Sequence, residues 1–143
     1  MNLAFILAEK PCTSFAGMFT QNAIQGAPVL IARERMAGEA LQGILINNKI
    51  ANVCCPSGRE DAEALLDGLG KRLDIPAERL ISASTGIIGW KLPIREMLAA
   101  LPDLASSVLP DLVVRAGDEN RTAVPEDPNF AAGASAFDVA KAI

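Results

Sequence analysis

Apolar residues fall in short blocks along the chain, with strand-like and helix-like spacing in alternation. Residues 2–8 form a brief apolar run closed by Lys10-Pro11, which predicts a buried strand. After turn residues at 11–14, the segment 15–20 predicts a second short strand, paired with the first as a hairpin. Residues 27–36 predict a helix, with Pro28 tolerated in its first turn and Gly38 as its stop. The run Ile44-Leu45-Ile46 inside 41–47 predicts a strand covered on both faces, and 48–58 has loop composition.

The clearest helix is predicted over 57–73. Ser57 is an N-cap candidate, with Glu60 three residues on as in a capping box, and Asp61 adds negative charge to the first turn. Ala62, Leu65, Leu66, Leu69 and Leu73 make one apolar stripe, and Lys71 and Arg72 suit the C-terminal end. Gly68 and Gly70 each weaken a helix by about 1 kcal/mol against Ala, and are expected to permit close packing on a sheet. Next come a helical turn at 76–79, a strand at 80–84 and a helix at 93–101 carrying Ile94, Met97, Leu98 and Leu101. Pro102 and Pro110 are expected to bracket a further short helix. Residues 115–133 read as a loop or linker, and a helix is expected to start at Ser135. The alternation of strand and helix predicts an α/β class, with residues 1–143 as a single domain portion.

Composition narrows the chemistry. Half of the 143 residues are hydrophobic and 21% are charged, with mean hydropathy +0.27, so the chain can bury a core. No apolar run reaches the roughly 18 residues of a membrane span. A formal charge of −4 argues against nucleic acid as partner. The N-terminus lacks the basic start and long apolar segment of a secretory signal, and a reducing, cytoplasmic setting is expected. There is no His, which excludes His-dependent triads and imidazole zinc sites within this chain. Cys12, Cys54 and Cys55 form neither a disulfide framework nor a four-cysteine zinc site. No metal and no cofactor is expected.

The foremost candidate site is Thr85-Gly86, at the end of the strand over 80–84 in Ser84-Thr85-Gly86-Ile87-Ile88-Gly89. Glycine lets a backbone N–H approach a ligand, and the threonine hydroxyl is a second donor; an oxyanion hole needs two such donors. The competing reading is a tight turn whose hydroxyl satisfies a backbone group. A second candidate is the loop 47–55, which holds amides, Lys49 and the Cys54-Cys55 pair. With no His to activate them, these cysteines read as buried and structural. Lys10, Lys49, Lys91 and Lys141 default to solvated surface, as do Asp118-Glu119 and Glu126-Asp127.

Several segments together resemble the α chain of the ornithine acetyltransferases, the bifunctional glutamate N-acetyltransferases of arginine biosynthesis. They are Gly17-Met18-Phe19-Thr20-Gln21-Asn22, Ala27-Pro28-Val29-Leu30, Glu60-Asp61-Ala62, Ile75-Pro76-Ala77-Glu78, and the 84–89 motif with Leu92-Pro93 behind it. The resemblance implies a layered α-β-β-α sandwich that is incomplete without a β chain. It implies a precursor that cuts itself before a threonine, which becomes the β chain's N-terminal nucleophile and lies outside this chain. That threonine takes acetyl from N-acetylornithine and passes it to glutamate through an acyl-enzyme, its own amine serving as base. The family's oxyanion-hole Thr and Gly fall on Thr85 and Gly86. An α2β2 or larger assembly in the cytoplasm follows.

One segment departs from the family pattern. Where the family has Asn-Ser-Gly-Asn-Ala-Asn-Ala-Cys-Thr-Gly, residues 47–56 read Asn-Asn-Lys-Ile-Ala-Asn-Val-Cys-Cys-Pro. Lys49 for Gly and Ile50 for Asn predict a loop of another shape or a different substrate. That departure keeps two alternatives open: a catalytically silent binding or assembly module, and an N-terminal-nucleophile amidohydrolase or peptidase.

Overall fold

The computed structural model describes residues 1–108. Its elements run β1 (Leu3–Cys12), α1 (Ala27–Arg35), β2 (Leu41–Asn47), α2 (Gly58–Leu73), a 3-10 turn (Ala77–Arg79), β3 (Leu80–Ser84) and α3 (Ile94–Ser106). The three strands form one sheet in the order β1-β2-β3. β1 runs antiparallel to β2, and β2 runs parallel to β3 through the α2 crossover. This is the α/β class the patterning predicts. The linker at 115–133 and the helix from 135 lie outside the described residues.

The hairpin does not form. Residues 15–20 carry no strand, and β1 pairs instead with β2, Leu3 facing Asn47 and Phe5 facing Leu45. β1 is also longer than predicted, and it is not buried. It is an edge strand, so Lys10 and Pro11 are accommodated within it, beside a register irregularity between Leu7 and Cys12. Segment 15–22 is held by Arg33 of α1, whose guanidinium donates to the Thr20 carbonyl at 3.0 Å and lies 5.6 Å from the Phe19 ring centre.

The helices pack on one face of the sheet. Strand alternation puts Phe5, Leu45 and Leu80 on that face, where Leu45 and Leu80 join Leu65, Leu66 and Leu69 of α2, Ile31 of α1 and Met97 and Leu101 of α3 in the core. Burying each such side chain contributes about 1.5–3 kcal/mol. The opposite face carries Ala4, Ile6, Ile44, Ile46, Ile81 and Ala83, none of which belongs to that core. Ile44 and Ile46 are therefore half-buried, and β2 is not covered on both faces by the described residues.

Three local expectations about α2 and α3 are corrected. Ser57 precedes α2, but its hydroxyl donates to the Asp61 carboxylate at 2.8 Å and no capping box with Glu60 forms. Gly68 and Gly70 do not meet the sheet: Gly68 faces Leu98 and Leu101 of α3, and Gly70 faces the Ile75 carbonyl. α3 continues through Pro102 to Ser106, because the apolar side that includes Met97, Leu98, Leu101 and Leu104 stays on the core. Arg59 of α2 is paired with Glu34 of α1 and with Glu63, and its bond holds the Glu34 carboxyl below its usual range. Arg35 donates to the Leu80 carbonyl, tying α1 to β3, and loss of water lowers the pKa of its guanidinium.

Candidate active site

Beyond the last paired residues of β2 and β3, the two chains stay zipped. The Thr85 N–H donates to the Asn47 carbonyl at 3.1 Å, Ile87 N–H to the Lys49 carbonyl at 2.9 Å, Ala51 N–H to the Ile87 carbonyl at 2.9 Å, and Gly89 N–H to the Val53 carbonyl at 2.8 Å. The segments 47–53 and 85–89 thus form one rigid rim at the sheet's end. Two adjacent polar groups among those left free on that rim are the candidate donors. Among the described residues, neither the Thr85 hydroxyl nor the Gly86 N–H makes a hydrogen bond, and both residues are exposed. The competing turn reading needs the hydroxyl to satisfy a backbone group, and it does not.

Gly86 is required by its surroundings. Its φ is +130°, and a Cβ there would stand 2.2 Å from the Lys49 carbonyl carbon and 2.3 Å from its oxygen. The close approach that glycine permits is to Lys49.

The departures at Lys49 and Ile50 are absorbed without loss of the rim. Lys49 adopts φ +75° although it is not glycine. The loop therefore has a left-handed residue where the family pattern has Gly. Ile50 turns into the core, 8% exposed, and pairs with Ile87 across the rim. The polar work at this corner falls to residues that sequence reasoning grouped only loosely. The Asn47 amide nitrogen donates to the Ile50 carbonyl at 2.8 Å and the Asn48 carbonyl at 3.4 Å, and its Oδ1 accepts the Ser84 hydroxyl at 2.6 Å. Asn52, also left-handed, donates from its side-chain amide to the Gly58 carbonyl at 2.7 Å while its backbone carbonyl accepts Ala27 N–H at 3.1 Å, joining the loop to α1 and α2. Two asparagines spaced by five in a strand-to-helix loop were the available signal, since Asn tolerates left-handed backbone and satisfies loop carbonyls.

The cysteines are not buried structural residues. Cys54 is exposed with φ +56°, and Cys55 and Cys12 are half-buried. Cys54 and Cys55 border a cleft of about 550 Å³ with Ile24, Leu30, Asn52 and Arg59; its lining does not include Thr85 or Gly86. Lys10, Lys49 and Lys91 are exposed, while Lys141 and the acidic residues at 118–127 lie outside the described residues. Among the described residues, no three acidic or cysteine side chains cluster to hold a metal ion, and no helix is long and apolar enough to cross a membrane.

The family model described as the ArgJ family matches residues 1–137. The chain is 38% identical over 109 residues to the arginine biosynthesis bifunctional protein ArgJ of Nitratidesulfovibrio vulgaris, covering 75% of this chain and 28% of that protein. It is 30% identical over 122 residues to the ArgJ protein of Thermobifida fusca, covering 85% of this chain and 32% of that one. Among solved structures, the ornithine acetyltransferase of Mycobacterium tuberculosis complexed with ornithine superposes with a TM-score of 0.69 at 30% identity, over 73% of this chain and 57% of that one. The ArgJ protein of Bacillus halodurans superposes at 0.65 and 33% identity, over 69% and 52%. The chain thus spans about a third or less of these curated relatives and somewhat over half of the solved chains.

Proposed function

The chain belongs to the ArgJ family, and from that premise we propose that it is the α part of an acetyltransferase that moves acetyl from N-acetylornithine to glutamate. Its role is to supply the oxyanion hole, through the Thr85 hydroxyl and the Gly86 N–H. The nucleophile is a threonine at the start of a β chain made by self-cleavage. The two chains assemble as α2β2 or larger, and no cofactor takes part. The observation that carries the reading is a pair of adjacent, exposed donors without partners directly after β3, the Thr85 hydroxyl and the Gly86 N–H.

The chemistry follows from that placement. Attack of a threonine hydroxyl on the acetyl carbonyl turns a neutral oxygen into an oxyanion. Donors held in place before the reaction stabilise that charge without reorganising, and each contributes about 3–4 kcal/mol to lowering the barrier. Ornithine then leaves as the amine, and glutamate's amine attacks the acyl-enzyme through a second oxyanion at the same position. The silent-relative reading rests on the altered loop over 47–56, of which Lys49 and Ile50 are two departures. The rim accommodates these two, with Lys49 left-handed and Ile50 buried against the core, which supports the transfer reading.

The test is acetyl transfer by the full-length protein carrying Thr85→Val, which keeps the shape and removes the hydroxyl. The expected outcome is a fall in kcat of about 10²–10³ with unchanged unfolding behaviour. Transfer at the wild-type rate would remove Thr85 from the mechanism, and absence of transfer by the unmodified protein would favour the silent relative.

A further inference from the structure

We infer that Asn47 is the positioning residue of the oxyanion site, holding both donors in register through its side chain; this rests on the proposed role of Thr85 and Gly86. Asn47 is 5% exposed and touches both sides of the rim. On one side, its Oδ1 takes the Ser84 hydroxyl at 2.6 Å and its backbone carbonyl takes the Thr85 N–H at 3.1 Å, which fixes the chain entering Thr85. On the other side, its amide nitrogen donates to the carbonyls of Ile50 at 2.8 Å and Asn48 at 3.4 Å, closing the turn that contains Lys49. Lys49 is the residue on which Gly86 sits and whose carbonyl takes the Ile87 N–H. The side chain thus uses both amide hydrogens and its oxygen, and each bond ends on a segment flanking one of the two donors.

Only an amide side chain of this length offers a donor and an acceptor at once in that position. Its removal frees the turn around Lys49, whose left-handed backbone is unfavourable for a residue with a side chain. Gly86 would follow the Lys49 carbonyl as it shifts. A displacement of about 1 Å at a catalytic group is enough to lower a rate on the order of 100-fold. Asn47 touches no reacting atom; it acts through Thr85 and Gly86.

The experiment is a double-mutant cycle in the full-length protein with Asn47→Ser and Thr85→Val, read as kcat and KM for acetyl transfer together with thermal unfolding. The expected result is that Asn47→Ser lowers kcat by about 10–100-fold with KM changed by less than about 3-fold, and that adding it to Thr85→Val lowers kcat further by clearly less than its effect alone, since only Gly86 is then left to misplace. Multiplicative losses in the double variant would overturn the inference, as would wild-type kcat in a folded Asn47→Ser. Should Asn47→Ser fail to fold, Ser84→Ala deletes only the bond to Oδ1; it is then expected to lower kcat several-fold, and by clearly less when added to Thr85→Val. An unchanged kcat in that variant would overturn the inference. A wild-type rate in Thr85→Val alone defeats the oxyanion assignment, a result distinct from additivity.

Discussion

Lys49 occupies a backbone conformation that most side chains disfavour. Its φ of +75° would suit glycine, and the Asn47 amide and the bond from Ile87 hold the loop there. Replacing it with glycine removes the steric penalty but loosens the unfolded chain, so Lys49→Gly is expected to stabilise the protein by about 1 kcal/mol, measured by urea unfolding. A loss of stability would mean that the aliphatic stem of Lys49 contributes more by packing than its backbone loses by strain. Gly86 is the opposite case, where both the torsion and the Lys49 carbonyl leave no room for a Cβ. At this scale the sequence offered Thr85 and Gly86 as candidates, because a hydroxyl and a glycine after an apolar strand can supply two donors, with a tight turn as the competing reading. It spoke poorly for Asn47 and Ser84, whose roles depend on two strands that lie 37 residues apart meeting at their ends.

Element by element, period and capping residues set where helices run, while contacts set what each glycine is for. α1, β2, α2 and β3 match the patterned segments closely, since each carries a period with a clear break at its ends. Gly70 shows what period alone leaves out. Helix propensity would favour Ala there by about 1 kcal/mol, but an added Cβ would stand 2.5 Å from the Ile75 carbonyl where the chain reverses after α2. Asp74, left-handed at φ +55°, makes that reversal, and the Ile75 N–H donates back to the Gly70 carbonyl at 2.9 Å. Gly70→Ala is therefore expected to destabilise by about 1–2 kcal/mol in thermal or urea unfolding, against its propensity. A gain would show that the reversal gives way easily. The missing strand at 15–20 has a similar cause: its β propensity is local, whereas Arg33 offers the Thr20 carbonyl a partner outside any sheet.

For the whole molecule, the bare sheet face matters most. Ala4, Ile6, Ile44, Ile46, Ile81 and Ala83 make it almost wholly aliphatic, and the described helices all lie on the other side. An aliphatic face of this breadth suits a second layer, in keeping with the proposed β chain. Ile6 gives a test because it is 40% exposed in this chain. If the face stayed open to water, Ile6→Asp would shift stability by less than about 0.5 kcal/mol, as is usual for exposed positions. If another layer covers it, the buried carboxylate would cost several kcal/mol, and the expected result is loss of assembled full-length protein on size-exclusion chromatography.

The sequence alone determined the class of the fold, the places of four central elements and the position of Thr85-Gly86 just after a strand, because these depend on local period, turn residues and side-chain type. Tertiary structure decided the partner of β1, the fate of Gly68 and Gly70, the left-handed Lys49 and the network around Asn47. Each of these is set by a contact between segments distant in the chain, and such contacts leave no mark in the spacing of neighbouring residues.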